Sequence, residues 1–245
     1  MKRNGSGSSG RITSGIEPHT TPLRIIAFMR QQLSAWRDDP DRPNEVSEPM
    51  LNPQLCKFLD SRARSEFPMV AFSHEEPQGS GRYADLSASP VKSMVIEARS
   101  YTKYDPILVI ECKRLPAPSK DREKEYVTGT EPAKITGGIQ RFKLGHHGAR
   151  LDMAAMIGYV QAGTASHWLD EVNGWILELV DSPLGDGCVW DETEILRSIG
   201  EDGSEDVFSY RSVHKRIANA TNAEIEIRHL WIMMLGDEPA RRESA

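Results

Sequence analysis

The stretch ILVIECKRL, residues 107–115, decides how this sequence is interpreted. Its first four residues are apolar, as in a strand buried inside a sheet. The same stretch then carries Glu111 and Lys113, two charges whose burial is energetically unfavourable. Because side chains alternate between the two faces of a strand, these two residues point to the same side. Either they form a structural ion pair, or a charged ligand belongs between them.

Composition limits the classes of protein that this chain can represent. The 245 residues are 38 % hydrophobic and 27 % charged, which is ordinary for a globular domain. The sequence has no run of about 18 apolar residues and no apolar leader with a small-residue cleavage site. Cys56, Cys112 and Cys188 are too few and too widely spaced for a disulfide framework or a zinc site. We therefore expect a cytoplasmic protein with no membrane partner.

Charge is distributed unevenly along the chain. The net charge of −6 argues against a surface coated for non-specific nucleic-acid binding, although a local basic cleft remains compatible with it. Residues 141–150, RFKLGHHGAR, carry three cations, two histidines and no acid, whereas acids are dense over 181–206. His146 and His147 have no companion ligand at metal-binding spacing, so we expect them in a solvent-facing loop.

The chain divides into one domain with two tails. Residues 1–20 are rich in Gly and Ser and predict a flexible tail, residues 21–236 form the domain, and residues 237–245 predict a disordered C-terminal tail.

Two helices are predicted before the first strands. From Thr21, apolar residues recur at spacings of three and four, which is typical of a helix: Ile25, Phe28, Met29, Leu33 and Trp36. A second helix is predicted within residues 44–67, with Asn52 before Pro53 as its candidate cap. Two strands, 82–89 and 93–100, should follow and pair in a meander.

The segment after residue 115 predicts a crossover unit. Residues 137–144 and 149–163 have helical patterns, and Gly163 is a candidate helix stop. Residues 174–180, GWILELV, have the composition of a buried strand. We therefore expect 107–113 and 174–180 to lie parallel in one sheet.

Asp85 completes a candidate metal site. It lies in the predicted strand 82–89, and if that strand neighbours 107–115, its carboxylate projects beside Glu111. Two carboxylates form a hard-oxygen site that suits Mg²⁺, with the backbone carbonyl of Cys112 as a further ligand. Such an ion lowers the pKa of a bound water and neutralises a scissile phosphate. Lys113 could then orient the water and stabilise the developing negative charge.

Asp85 followed by Glu111-Cys112-Lys113 resembles the motif of the PD-(D/E)XK nuclease superfamily, although Ala84 stands where the name-giving proline would be. The resemblance covers roughly residues 45–180. It implies a restriction-endonuclease-like fold, an α/β domain with a central mixed β-sheet flanked by helices. The implied activity is hydrolysis of DNA phosphodiester bonds by a metal-dependent deoxyribonuclease that uses Mg²⁺, with Mn²⁺ as a substitute.

The resemblance also implies roles for residues outside the motif. Family members often carry a further acid on a helix before the first motif strand, and Glu48 is the candidate, with Glu45 as the alternative. The helix after the motif strand commonly offers polar residues to the site, a place that Gln140 and Lys143 occupy, and Gln140 is expected to contact the nucleic acid. Backbone phosphates of DNA would be bound by the cations of the basic segment: Arg141, Lys143 and Arg150.

The sequence says less about the oligomeric state and biological role of the protein than about its chemistry. Many nucleases of this type pair up to cut both strands, so a homodimer is expected by analogy. A role in restriction or anti-phage defence, alone or as a subunit of a defence complex, would suit such an enzyme. Three alternatives stay open: a catalytically silent nuclease-like subunit that binds nucleic acid or a protein complex, a stand-alone hydrolase of a small phosphoester, and an ordinary ion pair between Glu111 and Lys113.

Overall fold

The structure is a computed structural model that describes residues 19–200, 206–217 and 220–234. Within these residues it is a mixed α/β fold with a central seven-stranded sheet flanked by helices, which confirms the predicted class. The predicted tails lie outside the described residues, apart from His19 and Thr20, and the first helix begins at Thr20.

The elements have the following bounds. The helices are α1 (Thr20–Arg37), α2 (Glu48–Glu66), α3 (Gly138–Lys143) and α4 (Ala165–Asp181), with short 3-10 helices at Lys120–Tyr126 and Glu192–Glu194. The strands are β1 (Val70–Pro77), β2 (Tyr83–Pro90), β3 (Met94–Ile96), β4 (Arg99–Tyr101), β5 (Leu108–Leu115), β6 (Met153–Val160), β7 (Arg197–Ser198), β8 (Val207–Lys215) and β9 (Glu224–Met233).

In the sheet, strand β5 has an antiparallel neighbour, β2, on one side and a parallel neighbour, β6, on the other. Its order is β1-β2-β5-β6-β9-β8-β7, with β5, β6 and β9 parallel to one another and the remaining pairs antiparallel. The antiparallel partner β2 carries Asp85, so the sheet brings the two motif strands side by side.

The apolar core lies in two layers, one on each face of the sheet. Ile110 belongs to the core beneath α1 and α2, whereas Val109 and Leu115 belong to the core beneath α3 and α4. Because strand residues alternate between faces, Glu111 and Lys113 share the face of Val109 and Leu115. Both charges therefore point into the layer that contains α3.

The predicted helix at 149–163 and strand at 174–180 are wrong. Residues Met153–Val160 form strand β6 and are all buried, because this central strand is covered on both faces. A strand of that kind loses the alternation that would identify it and resembles a buried helix in sequence. Residues 174–180 belong instead to α4, whose N-cap Thr164 accepts a hydrogen bond from the His167 amide at 3.2 Å. The parallel neighbour of β5 is therefore β6.

Two smaller predictions also need correction. Residues 93–100 do not extend the meander, because β3 and β4 pair with each other in a separate two-stranded sheet. Asn52 does not cap α2, which begins four residues earlier; it is buried and accepts a hydrogen bond from the Tyr159 hydroxyl at 3.0 Å. The buried face predicted for the first helix, by contrast, is confirmed.

Gly158 in β6 offers a test of the packing between the central strands. A Cβ added there would meet Cδ1 of Trp231 at 2.4 Å, and Trp231 is fully buried. We expect Gly158→Ala to lower the free energy of unfolding by about 1–3 kcal/mol, because the enclosed ring has no space to move into.

Gly174→Ala is the matched control, since nothing lies within 4 Å of a Cβ added at this helical position. It should raise the free energy of unfolding by about 0.5–1 kcal/mol through helix propensity alone. Urea denaturation followed by tryptophan fluorescence measures both variants. Equal midpoints for the two would contradict the close contact between β6 and β9.

Candidate functional site

Asp85 and the motif strand meet where β2 separates from β5. The strands pair through Leu86 opposite Ile110, and the next position along this register sets Asp85 opposite Glu111. Here the ladder ends, and Asp85 Oδ2 instead accepts a hydrogen bond from the amide of Cys112 at 2.7 Å. The structure therefore brings together the acid and the Glu-x-Lys motif that the sequence placed in different strands.

Glu111 is fully buried and is surrounded by two cations and a histidine. Lys113 Nζ lies 3.1 Å from its Oε1, Arg141 Nη1 contacts the same oxygen, and His147 Nδ1 lies 2.9 Å from its Oε2. Burial alone would raise the pKa of Glu111, but Lys113, His147 and Arg141 outweigh this effect and hold that pKa below its usual range. Glu111 is thus a buried, ionised carboxylate.

Lys113 links Glu111 to the first turn of α2. Its Nζ lies 3.2 Å from Oε1 of Glu48, and only 6 % of the residue is exposed. Burial would lower the pKa of Lys113, yet the charges of Glu111, Glu48 and Asp85 raise it above its usual value. Lys113 therefore stays protonated. Of the two candidate accessory acids, Glu48 and Glu45, it is Glu48 that contacts Lys113. Within the described residues, no contact joins Glu45 to this cluster.

Asp85 differs electrostatically from Glu111. Within the described part of the chain it forms no ion pair, and its recorded partner is the Cys112 amide. Burial, followed by repulsion from Glu111, raises the pKa of Asp85 to about 7. The site therefore contains two neighbouring acids, of which one is compensated by cations and the other is not.

His147 is a site residue that the sequence analysis assigned to a solvent-facing loop. It is only 2 % exposed, and its ring packs edge-on against Phe142 with centroids 6.0 Å apart. Gly145 and Gly148 adopt left-handed backbone conformations that turn this loop back toward β5. The available signal was a histidine pair flanked by glycines directly after a helix predicted to border the site.

Gln140 is fully buried and cannot reach a nucleic acid in this arrangement. Its Oε1 accepts hydrogen bonds from the amides of Gly129 and Gly137 at 3.0 and 3.1 Å, and its Nε2 donates to Asp186. Gln140 therefore fixes the loop that precedes α3, which corrects its predicted contact with DNA.

Lys143 is likewise fully buried, which corrects its predicted phosphate contact. Its Nζ pairs with the buried Glu194 and lies 4.6 Å from the ring centroid of Trp190. A continuous polar network extends from Glu194 into the sheet through four further side chains: His214, Ser212, His229 and Tyr126. Burial lowers the pKa of both histidines, so they are neutral at pH 7. Lys143 belongs to this enclosed network and has a structural role.

The two arginines proposed as phosphate contacts remain accessible. Arg141 keeps 25 % of its side chain exposed while contacting Glu111. Arg150 is exposed and borders a cleft of about 320 Å³ that also involves Arg99 and Gln78. The Arg150 carbonyl accepts a hydrogen bond from Arg99 at 2.9 Å, so the backbone of this rim is fixed.

Comparison of the chain with protein-family models, curated proteins and solved structures finds no match. Within residues 19–200, 206–217 and 220–234, no three His, Cys, Asp or Glu side chains are grouped closely enough to hold a metal ion by themselves. None of the described helices is both long and apolar enough to cross a bilayer.

Lys143→Met tests the structural role of the enclosed network. It leaves the Glu194 carboxylate buried without its lysine, so we expect the free energy of unfolding to fall by about 3–5 kcal/mol. Adding Glu194→Gln should recover part of this loss, because it removes the uncompensated charge. Urea denaturation of the two variants measures the difference. A Lys143→Met protein as stable as the parent would show that this ion pair does not hold the fold.

Proposed function

We propose that this protein is a Mg²⁺-dependent deoxyribonuclease with a restriction-endonuclease-like fold, in which Mn²⁺ can replace Mg²⁺. The observation that supports the proposal most directly is the convergence of four charged residues from β2, β5 and α2 at one edge of the sheet: Asp85, Glu111, Lys113 and Glu48. Burying such a group serves stability poorly, whereas it suits the binding of a cation and a phosphate.

The oxygen atoms at this edge fit a hard divalent cation. Asp85 has no cationic partner within the described residues, and Oε2 of Glu111, although 2.9 Å from Nδ1 of His147, makes no hydrogen bond of normal geometry. A strand residue turns its N–H and C=O toward the same neighbour, so the carbonyl of Cys112 should share the side of Asp85. Mg²⁺ commonly takes one or two carboxylates and keeps several waters, so a third acidic side chain is unnecessary.

Asp85, Glu111 and the Cys112 carbonyl would hold the ion. When bound, it would supply positive charge between the two acids and lower the pKa of a coordinated water.

Lys113 would stabilise the negative charge that develops on the phosphate during hydrolysis. Because its pKa is raised, it is protonated at neutral pH and acts as a hydrogen-bond donor rather than as a general base. Glu48 and Glu111 hold its ammonium group from two sides, so no reorganisation is needed when negative charge develops on a scissile phosphate. Glu48 is in this scheme a positioning residue for Lys113.

Arg150 and Arg99 would bind the DNA backbone beside the site. Both line the cleft next to the loop that carries His147, and phosphate contacts there would make binding weaken steeply with salt. A role in restriction or anti-phage defence, as a homodimer or as a subunit of a larger complex, extends this proposal by analogy only.

Asp85→Asn tests the proposed activity with little change of shape. The amide keeps an oxygen that can accept the Cys112 hydrogen bond but removes the negative charge, so we expect nicking of supercoiled plasmid in Mg²⁺ to fall by about 10²-fold or more. Lys113→Met should reduce nicking to a similar extent through loss of the donor. The matched control is Asp170→Asn, at an exposed position of α4, which should nick like the parent.

Circular dichroism would confirm that each variant is folded. Nicking by Asp85→Asn at the parental rate, in protein freed of contaminating nuclease, would eliminate the proposed role of this carboxylate.

One observation favours a silent nucleic-acid-binding or complex-forming subunit as the second candidate. Glu111 already lies against the two cations Lys113 and Arg141, as in a site that has no need of a metal. Such a subunit would retard duplex DNA in a gel with EDTA present and leave supercoiled plasmid intact in both Mg²⁺ and Mn²⁺. The enzyme would convert the plasmid in Mg²⁺ and not in EDTA.

A further inference from the structure

Arg141 occupies an unexpected place for a residue of a basic, DNA-facing segment. Its Nη1 points inward to Oε1 of Glu111, the same oxygen that Lys113 approaches. A proposed metal ligand is thus in contact with a guanidinium in the structure described. A carboxylate so engaged attracts a further cation less strongly, because part of its charge is already balanced.

Lys113, His147 and Arg141, the three basic partners of Glu111, differ in their exposure to solvent. Lys113 and His147 are enclosed, with side chains 8 % and 2 % exposed, and Lys113 is held by Glu48 as well. Arg141 is 25 % exposed, and its other recorded bond is a long one, from Nε to the carbonyl of Ile135 at 3.4 Å. Of the three, Arg141 is therefore the side chain that has solvent beside it and the weakest hold on the protein.

We infer that Arg141 is a displaceable stand-in for the divalent cation: it balances Glu111 while the metal is absent and competes with the metal for that carboxylate. The inference rests on the proposed function, since it presupposes that Glu111 is a metal ligand. It assigns Arg141 a positioning role at the site instead of a simple phosphate contact. Removal of the guanidinium should then increase metal affinity, which loss of a merely structural residue would not do.

The test is isothermal titration calorimetry of Mn²⁺ and Mg²⁺ into the full chain without DNA. We expect Arg141→Met to lower the Kd for Mn²⁺ by about tenfold or more, since a hydrogen bond between charged groups no longer has to be broken. Arg141→Gln is a second neutral variant that keeps the test possible if Arg141→Met does not fold. Glu111→Gln should lose the binding, which would show that the heat arises at this site.

Arg122→Met is the matched control for the general loss of positive charge. Arg122 bonds to Glu125 and lies near enough to Glu48 to interact electrostatically, but it makes no recorded contact with Glu111. Its removal should change the Kd by less than about twofold, because a charge in water at longer range is screened.

Each result has a definite meaning. Tighter binding by Arg141→Met alone, or binding measurable only in that variant, supports the stand-in role. Unchanged or weaker binding overturns it, as does an equal gain in Arg122→Met, and in both cases the nuclease proposal survives. If neither the parent nor any variant binds Mn²⁺ or Mg²⁺, the proposed function fails together with the inference.

Discussion

The buried negative charge of Glu111 is the constraint on which the arrangement of this protein depends. A carboxylate inside a sheet is unfavourable unless partners compensate it, and here the partners come from different parts of the chain. Lys113 follows in the same strand, Arg141 belongs to α3, and His147 lies in the loop beyond α3. Through Lys113 the same charge also engages Glu48 at the start of α2. One carboxylate thus links β5 to α3 and the loop after it and, through Lys113, to α2.

Among the residues that the structure describes, two buried clusters of charge differ in their access to solvent, and this difference distinguishes the candidate site from a structural ion pair. The cluster of Lys143 and Glu194 is closed, with both side chains at most 1 % exposed and the polar network continuing inward to buried groups. The cluster around Glu111 is open on one side, where Glu48 and Arg141 are 21 % and 25 % exposed. A substrate can reach only those groups with shifted pKa values that are also accessible to solvent.

Much of the fold and the centre of the site could be predicted from sequence, because both follow from local periodicity. Alternation within residues 107–115 placed Glu111 and Lys113 on one face, and adjacency of two strands placed Asp85 beside them. Strand β6 was not predictable in this way, since burial on both faces removes alternation. The cations of α3 were misassigned for another reason: Arg141 and Lys143 are two apart in a helix and cannot face the same way. Helical geometry allowed only one of them to reach the site.

The net charge of the cluster around Glu111 should couple binding of the proposed metal ion to binding of a phosphate. If all three acids, Asp85, Glu111 and Glu48, are counted as deprotonated against Lys113 and Arg141, these five side chains carry −1 without a metal. Because the pKa of Asp85 is raised to about 7, binding of a cation at neutral pH would also have to remove a proton from part of the Asp85 population. A divalent cation would change the net charge to +1, and one phosphodiester group would return it to zero. Ion and phosphate should therefore bind better together than separately, which is thermodynamic coupling through shared electrostatics. A site balanced in this way would favour the proposed metal most strongly when a phosphodiester is bound beside it.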